Sequence, residues 1–207
     1  MWKKYPDLEP IRRLRNEGRE LLGKYLLLTE KRDGENMCIW QDQDGTIKYS
    51  SHNQIQAEQN MVTRLQQTPE HKKAVQLLED ELSNYDNKYY LYGELLLRIC
   101  PTRIEPPRKH LHWILFDIFD SAAKHYMHYS SVYQKAYHWK LPIVRVVTSF
   151  YPTSMEDLHQ KVHEALTWCR HHRREGIVGK CYENQVFFKE KIDMPPRPKI
   201  HKPKPNE

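Results

Sequence analysis

Residues 25–40 tie the chain to one local arrangement. The run Tyr25-Leu26-Leu27-Leu28 enters the charged stretch Thr29-Glu30-Lys31-Arg32-Asp33-Gly34, and Met37-Cys38-Ile39-Trp40 leaves it. Both flanks are short, apolar and partly aromatic, which is the pattern of strands. Lys31 therefore falls in a tight connection, where Gly34 can supply φ > 0 or admit a ligand close to the backbone. A lysine so placed can act as a nucleophile once its pKa is lowered, and a neighbouring cation such as Arg32 works in that direction. The simpler reading of the same residues is a charged hairpin loop.

A chain of 207 residues with 39% hydrophobic and 11% aromatic content can bury one sizeable core. A net charge of +6 favours an anionic partner such as nucleic acid or nucleotide phosphates. Cys38, Cys100, Cys169 and Cys181 form no C-x-x-C pair, which fits a reducing setting. Cys169 lies near His171 and His172, but the second ligand pair of a zinc site is missing. With no signal peptide and no apolar run of membrane-spanning length, a soluble intracellular protein is expected.

The pattern along the chain predicts a helix over the stretch from Leu8 to Leu22, stopped at Gly23. Its Arg12, Arg13 and Arg15 fit a solvated face better than a phosphate-binding one. Asp42-Gln43-Asp44-Gly45 is a hairpin turn into a third strand at Thr46–Ser50, followed by a polar loop, Ser51-His52-Asn53-Gln54. Two helices are expected within 55–83, broken near Thr68-Pro69. A turn at Asn84–Asn87 leads to a strand over 89–97, interrupted by Gly93-Glu94. A glycine inside a strand marks a bulge or a close backbone approach. Glu94 is either paired, facing a wet cleft, or a strand-end acid in solvent.

After a Pro- and Arg-bearing loop, 101–109, the strand His112–Asp120 carries one interior acid, Asp117, which reads as aimed at a site. Phe116 beside it is either a core aromatic or a stacking surface for a flat ligand. Tyr126, Tyr129, Tyr133 and Tyr137 share one helical face, expected to pack; stacking on nucleic-acid bases is the alternative. A strand over Leu141–Val147 precedes a helix starting at Met155, capped by Thr153 or Ser154 and ending in His171-His172-Arg173-Arg174. Glu175–Lys180 and Val186–Ile192 read as the last strands. Residues 194–207 are a basic, Pro-rich tail that is expected to be extended or disordered.

Five of these stretches, taken together, resemble the covalent nucleotidyltransferases, a superfamily that includes ATP-dependent RNA and DNA ligases and messenger-RNA capping enzymes. They are Lys31-Arg32-Asp33-Gly34, Tyr92-Gly93-Glu94-Leu95, Phe116-Asp117-Ile118, Glu175-Gly176-Ile177-Val178-Gly179-Lys180 and Lys189-Glu190-Lys191. The resemblance implies an α+β adenylation domain (ATP-grasp-like) over residues 1–193, made of antiparallel sheets with flanking helices. It implies that Lys31 attacks the α-phosphate of ATP and carries AMP, with Asp33, Glu175, Lys189 and Lys191 also catalytic. Glu30 would read the adenine, Phe116 would stack on it, and Glu94 would hold the ribose. Arg32, Asp117 and Lys180 would complete the nucleotide site. Asp33, Glu94 and Glu175 would organise hydrated Mg2+, with Mn2+ as a substitute.

Lys189 and Lys191 stand at i and i+2 on a strand, so both can face one phosphate and both would depress the Lys31 pKa. Thr29-Glu30-Lys31 and Phe116-Asp117-Ile118-Phe119 look more like RNA-repair ligases than DNA ligases. The expected reaction therefore joins RNA 5′-phosphate and 3′-hydroxyl ends, with a protein partner able to supply a missing domain. The alternatives are a DNA ligase without its oligonucleotide-binding barrel and a non-catalytic RNA-binding relative. His52 lies where such ligases tend to have an arginine, so its grip on a strand end would differ.

Overall fold

The structure, a computed structural model, describes residues 3–82, 88–102 and 104–192. The turn expected at Asn84–Asn87 and the tail at 194–207 lie outside the described residues. In chain order the strands are β1 (Leu26–Lys31), β2 (Glu35–Gln41), β3 (Ile47–Ser51), β4 (Tyr89–Leu96), β5 (His112–Asp120), β6 (His125–Tyr126), β7 (Val146–Phe150), β8 (Gly176–Cys181) and β9 (Val186–Lys191). The helices are α1 (Gln59–Gln66), α2 (Pro69–Asp80), α3 (Tyr129–His138) and α4 (Met155–His171). The strands make two sheets, ordered β7-β1-β8-β9 and β3-β2-β4-β5-β6, and every named pairing is antiparallel. The fold is α+β, as expected.

Side-chain alternation sorts each sheet into two faces. In the five-stranded sheet, Met37, Ile39, Leu91 and Leu115 pack against Leu65, Leu77 and Val132 of α1, α2 and α3. In the four-stranded sheet, Leu26, Leu28, Ile177 and Phe188 pack against Leu158 and Val162 of α4. The inner faces share an aromatic layer that includes Tyr90, Tyr92, Phe119, Tyr126 and Phe187. Among the described residues no helix is long and apolar enough to cross a membrane. The four cysteines are free and buried.

β1 and β2 do not form a hairpin. They belong to different sheets, and Arg32–Gly34 carries the chain from one to the other. Gly34 is needed for neither a positive φ nor a turn: a Cβ there would stand 2.4 Å from the Leu95 carbonyl oxygen of β4. Gly93 faces a bulge carried by the neighbouring strand, and the group that approaches it closely is a ring and not another backbone. The β4–β5 register slips between Tyr92 and Gly93, and a Cβ on Gly93 would meet the Trp113 ring at 2.2 Å.

Three expectations are corrected. The N-terminal segment is not an α-helix but two short 3-10 turns, Ile11–Arg13 and Arg15–Leu21, with Asn16, Glu17 and Gly18 at φ of 48°, 56° and 85°. Contacts with β9 hold it: Glu9 bridges Phe188, and the Ile11 N–H donates to Glu190. The strand placed at 141–147 begins later, as β7. Pro142 has no N–H to give a ladder, and Ile143 makes only an isolated bridge to Leu115. The tyrosine face does not pack either. Tyr126 is in β6, the buried positions of α3 are Val132 and Ala136, and Tyr133 and Tyr137 are 49% and 77% exposed.

Elsewhere the local chemistry follows the sequence. Pro69 opens α2 after the break, Ser154 caps α4 by accepting from the Asp157 N–H, and Gly45 closes the β2–β3 turn at φ 80°.

Candidate active site

The two sheets diverge at the β1–β2 crossover and leave a cleft of about 240 Å³ between them. Eight of the twelve residues expected from the sequence line it: Glu30, Lys31, Arg32, His52, Glu94, Phe116, Lys180 and Lys189. Lys31 is the last residue of β1, and its Nζ donates to Glu175, which leads into β8. Lys191, across the strand pair from Gly176, ion-pairs with the other Glu175 oxygen. Lys189, two residues earlier on β9 and so on the same face, lines the cleft.

The Lys31 ammonium is not held down by cations in this state. Burial works against its charge, but Glu94, Glu175 and Asp33 outweigh burial, so its pKa is raised. The expectation that Arg32 would lower it fails because Arg32 faces acids. Its guanidinium makes a two-pronged contact with Glu105, at 3.0 Å from Nε and 2.7 Å from the terminal nitrogen, and also reaches Glu30. Glu94 stands on the inner face of β4. Burial, partly countered by Lys31, lifts its pKa to about 7.

Glu30 is buried and fixed from three sides. Its carboxylate accepts from the Arg145 backbone N–H at 3.2 Å, from the Arg174 Nε and from Arg32. Phe116 is placed by the β4–β5 irregularity. Tyr92 pairs with Asp117 and Gly93 with Leu115, so Phe116 is the extra residue of a bulge. A bulge turns two successive side chains to one side of a strand. Phe116 lines the cleft, and Asp117 points the same way but lies deeper.

The deeper position changes the reading of Asp117. It is fully buried and takes three donors: Lys180 Nζ at 2.9 Å, Tyr5 Oη at 2.6 Å and Tyr182 Oη at 2.9 Å. It does not line the cleft; it holds Lys180, whose Nζ also donates to the Phe116 carbonyl at 2.7 Å. Burial, partly countered by Asp117, lowers the Lys180 pKa. Asp33 is likewise a brace. Its carboxylate accepts from the Thr102 N–H at 2.8 Å and from the Thr102 hydroxyl, outside the cleft lining. Among the described residues no three His, Cys, Asp or Glu side chains come together as a ready metal cage. Asp33, Glu94 and Glu175 nevertheless all act electrostatically on Lys31, the arrangement expected of acids around a hydrated ion.

Two parts of the site escaped the sequence reading. Glu105, 3% exposed, gathers Arg32, Arg108 and the Asp33 N–H, and so fixes the crossover. It is the lone acid in the cationic stretch 101–109, a signal that was available. Tyr5, Pro6 and Leu8 of the N-terminal segment also line the cleft. The Tyr5 ring meets Phe116 edge-on at 5.0 Å, and Asp7 pairs with His52 at 2.7 Å. Nothing in the sequence pattern pointed there.

A family model described as RNA ligase matches residues 24–193. The chain belongs to the RNA ligase family. Among solved structures, Naegleria gruberi RNA ligase as a lysine-to-alanine variant with ATP and Mn is similar at a TM-score of 0.72 and 19% identity, covering 90% of this chain and 55% of that one. A methionine variant of that enzyme with AMP and Mn is similar at 0.72 and 19%, covering 91% and 55%. The form with pyrophosphate is similar at 0.67 and 18%, covering 92% and 56%. This RNA ligase family chain thus spans a little over half the length of those proteins. No curated protein sequence matches it. The matched segment starts just before β1 and takes in both sheets.

Proposed function

We propose that the chain is an ATP-dependent RNA ligase that joins 5′-phosphate and 3′-hydroxyl ends through a lysyl-AMP intermediate on Lys31. The observation that carries this reading is the position of Lys31 at the crossover between the sheets, hydrogen-bonded to Glu175 and facing Glu94 across a cleft walled by Phe116 and Lys180.

The chemistry follows from this placement. The Lys31 amine must give up a proton before it can attack, and the Glu175 carboxylate already accepts a hydrogen bond from it. The nitrogen lone pair forms a P–N bond to the α-phosphorus of ATP, the bond to the bridging oxygen breaks, and pyrophosphate leaves with its electrons. Lys180 and Lys189 are the cations that face the developing charge, and such positioned charges carry most of phosphoryl-transfer catalysis. Glu30 is pre-set to accept from an exocyclic amine, and Phe116 offers a ring face. An RNA 5′-phosphate oxygen then displaces Lys31 from AMP, and a 3′-hydroxyl displaces AMP to form the phosphodiester.

Carboxylate oxygens are the ligands Mg2+ accepts, and it keeps several waters when bound by few acids. Glu94 and Glu175 would hold it through those waters. Once bound, it would neutralise the acids that keep the proton on Lys31. Asp33 and Asp117 act as braces, for the crossover and for Lys180.

The test offers nicked RNA, nicked DNA and single-stranded RNA side by side, each with 5′-phosphate and 3′-hydroxyl ends. Sealing of RNA with release of AMP supports the reading. Sealing of nicked DNA alone assigns a DNA ligase, and RNA binding without sealing assigns a binding module.

A further inference from the structure

The tyrosines of α3 form a ladder that the cleft chemistry does not use. Tyr129, Tyr133 and Tyr137 lie ring beside ring, with centroids 6.2 and 6.4 Å apart. Eight helical steps carry them over about 12 Å. Tyr133 and Tyr137, 49% and 77% exposed, make a contiguous aromatic patch of the kind that marks an interaction site.

The ladder starts at the cleft. Tyr129 donates its hydroxyl to the Val144 carbonyl at 2.8 Å, and Val144 lines the cleft beside Glu30. Its far end borders a shallow depression made by Tyr133, Gln134, Tyr137, His138 and Lys140, a set without an acid. Lys73 of α2 reaches the same end and donates to the Lys140 carbonyl. Among the described residues Glu81 lies on the flank, engaged by Lys135, the Trp139 indole and, at 3.8 Å, His138.

We infer that this face of α3 is a binding track for single-stranded RNA, on which bases stack as the strand leaves the catalytic cleft. Aromatic faces beside cationic side chains are the means by which proteins hold single strands without reading sequence, because every base has a π-face. The cationic end and continuity with the cleft favour a nucleic-acid strand over a protein surface. This inference rests on the RNA ligase reading for the direction of the strand, not for the binding itself.

The probe is a fluorescein-labelled, 5′-phosphorylated single-stranded RNA 20-mer, followed by anisotropy in EDTA without ATP so that no chemistry occurs. Tyr133→Ala/Tyr137→Ala should bind it roughly tenfold or more weakly, while Tyr133→Phe/Tyr137→Phe binds like wild type. Lys140→Asn, which tolerates the φ of 51° found there, should lower the slope of log affinity against log salt by about 0.7. Blunt duplex RNA, whose bases are already stacked, should lose little. The alanine pair should still take up AMP from ATP at the wild-type level, which separates the track from the active site. Wild-type affinity of the alanine pair for the 20-mer overturns the track and leaves the face to a protein partner. An equal loss on duplex RNA overturns stacking. Failure of the wild type itself to take up AMP would instead overturn the ligase reading, and the anisotropy series would stand on its own.

Discussion

Asp117→Asn isolates the buried pair beneath the cleft. Asp117 and Lys180 are 0% and 1% exposed, and their charges meet at 2.9 Å. The amide keeps the shape but removes the charge; with its oxygen kept on Tyr5 and Lys180, its NH2 stands against the Tyr182 hydroxyl. Breaking a buried ion pair from one side costs about 3–5 kcal/mol. The lysine can limit this loss by shedding its proton. From a reference value of 10.5, neutralising it costs about 5 kcal/mol at pH 7 but only about 2 kcal/mol at pH 9, at about 1.4 kcal/mol per unit. In the variant the unfolded chain then binds more protons than the folded one, so the variant gains stability relative to wild type as pH rises. Urea denaturation at both pH values should show a deficit of about 4 kcal/mol at pH 7 that shrinks to about 2 kcal/mol at pH 9. Asp117→Asn/Lys180→Met should recover much of it, because no charge is left buried. A deficit below about 1 kcal/mol, or one equal at both pH values, would refute the pairing as the source of the stability.

Three further predictions concern neighbouring groups. Glu94 has its folded pKa raised from 4.5 to about 7, so its contribution is neutral below pH 4.5 and turns unfavourable as pH rises to 7. In the absence of nucleotide and metal, Glu94→Gln should match wild type near pH 4.5 and exceed it by up to about 3 kcal/mol at pH 8; equal stability at both ends contradicts the shift. Glu105→Gln removes the acid that gathers Arg32 and Arg108 and should cost about 3 kcal/mol in denaturation while slowing AMP uptake by loosening the crossover; an unaffected rate would mean the crossover holds itself. Gly93→Ala drives a methyl into the Trp113 ring and should cost about 1–3 kcal/mol, read as a lowered melting temperature.

Much of this fold was written in local pattern. The strands with their interior charges, the Pro69 break and the Ser154 cap are each set by residues within a few positions of one another. What the pattern left out is set by contacts distant in sequence. Pairing with β9 turned the N-terminal segment into 3-10 turns, although its apolar spacing suited a helix. The crossover between sheets looks like a hairpin in sequence, because two strands and a short charged link read alike whether or not the strands pair. Of the twelve site residues expected from the sequence, eight line the cleft. Asp33 and Asp117 turned out to brace it, because a buried carboxylate is identified by its donors, and Thr102, Tyr5 and Tyr182 come from remote segments. The tyrosine face was legible as a helix face but not as an exposed one, since Val132 and Ala136 had already filled the packed side.

The central claim is that Lys31 forms a covalent bond with AMP. Intact-mass spectrometry after incubation with ATP and Mg2+ tests it on wild type and Lys31→Ala. The account predicts a mass gain of one AMP in the wild type and none in the variant. No gain in the wild type with ATP or GTP, or an equal gain in Lys31→Ala, would contradict it.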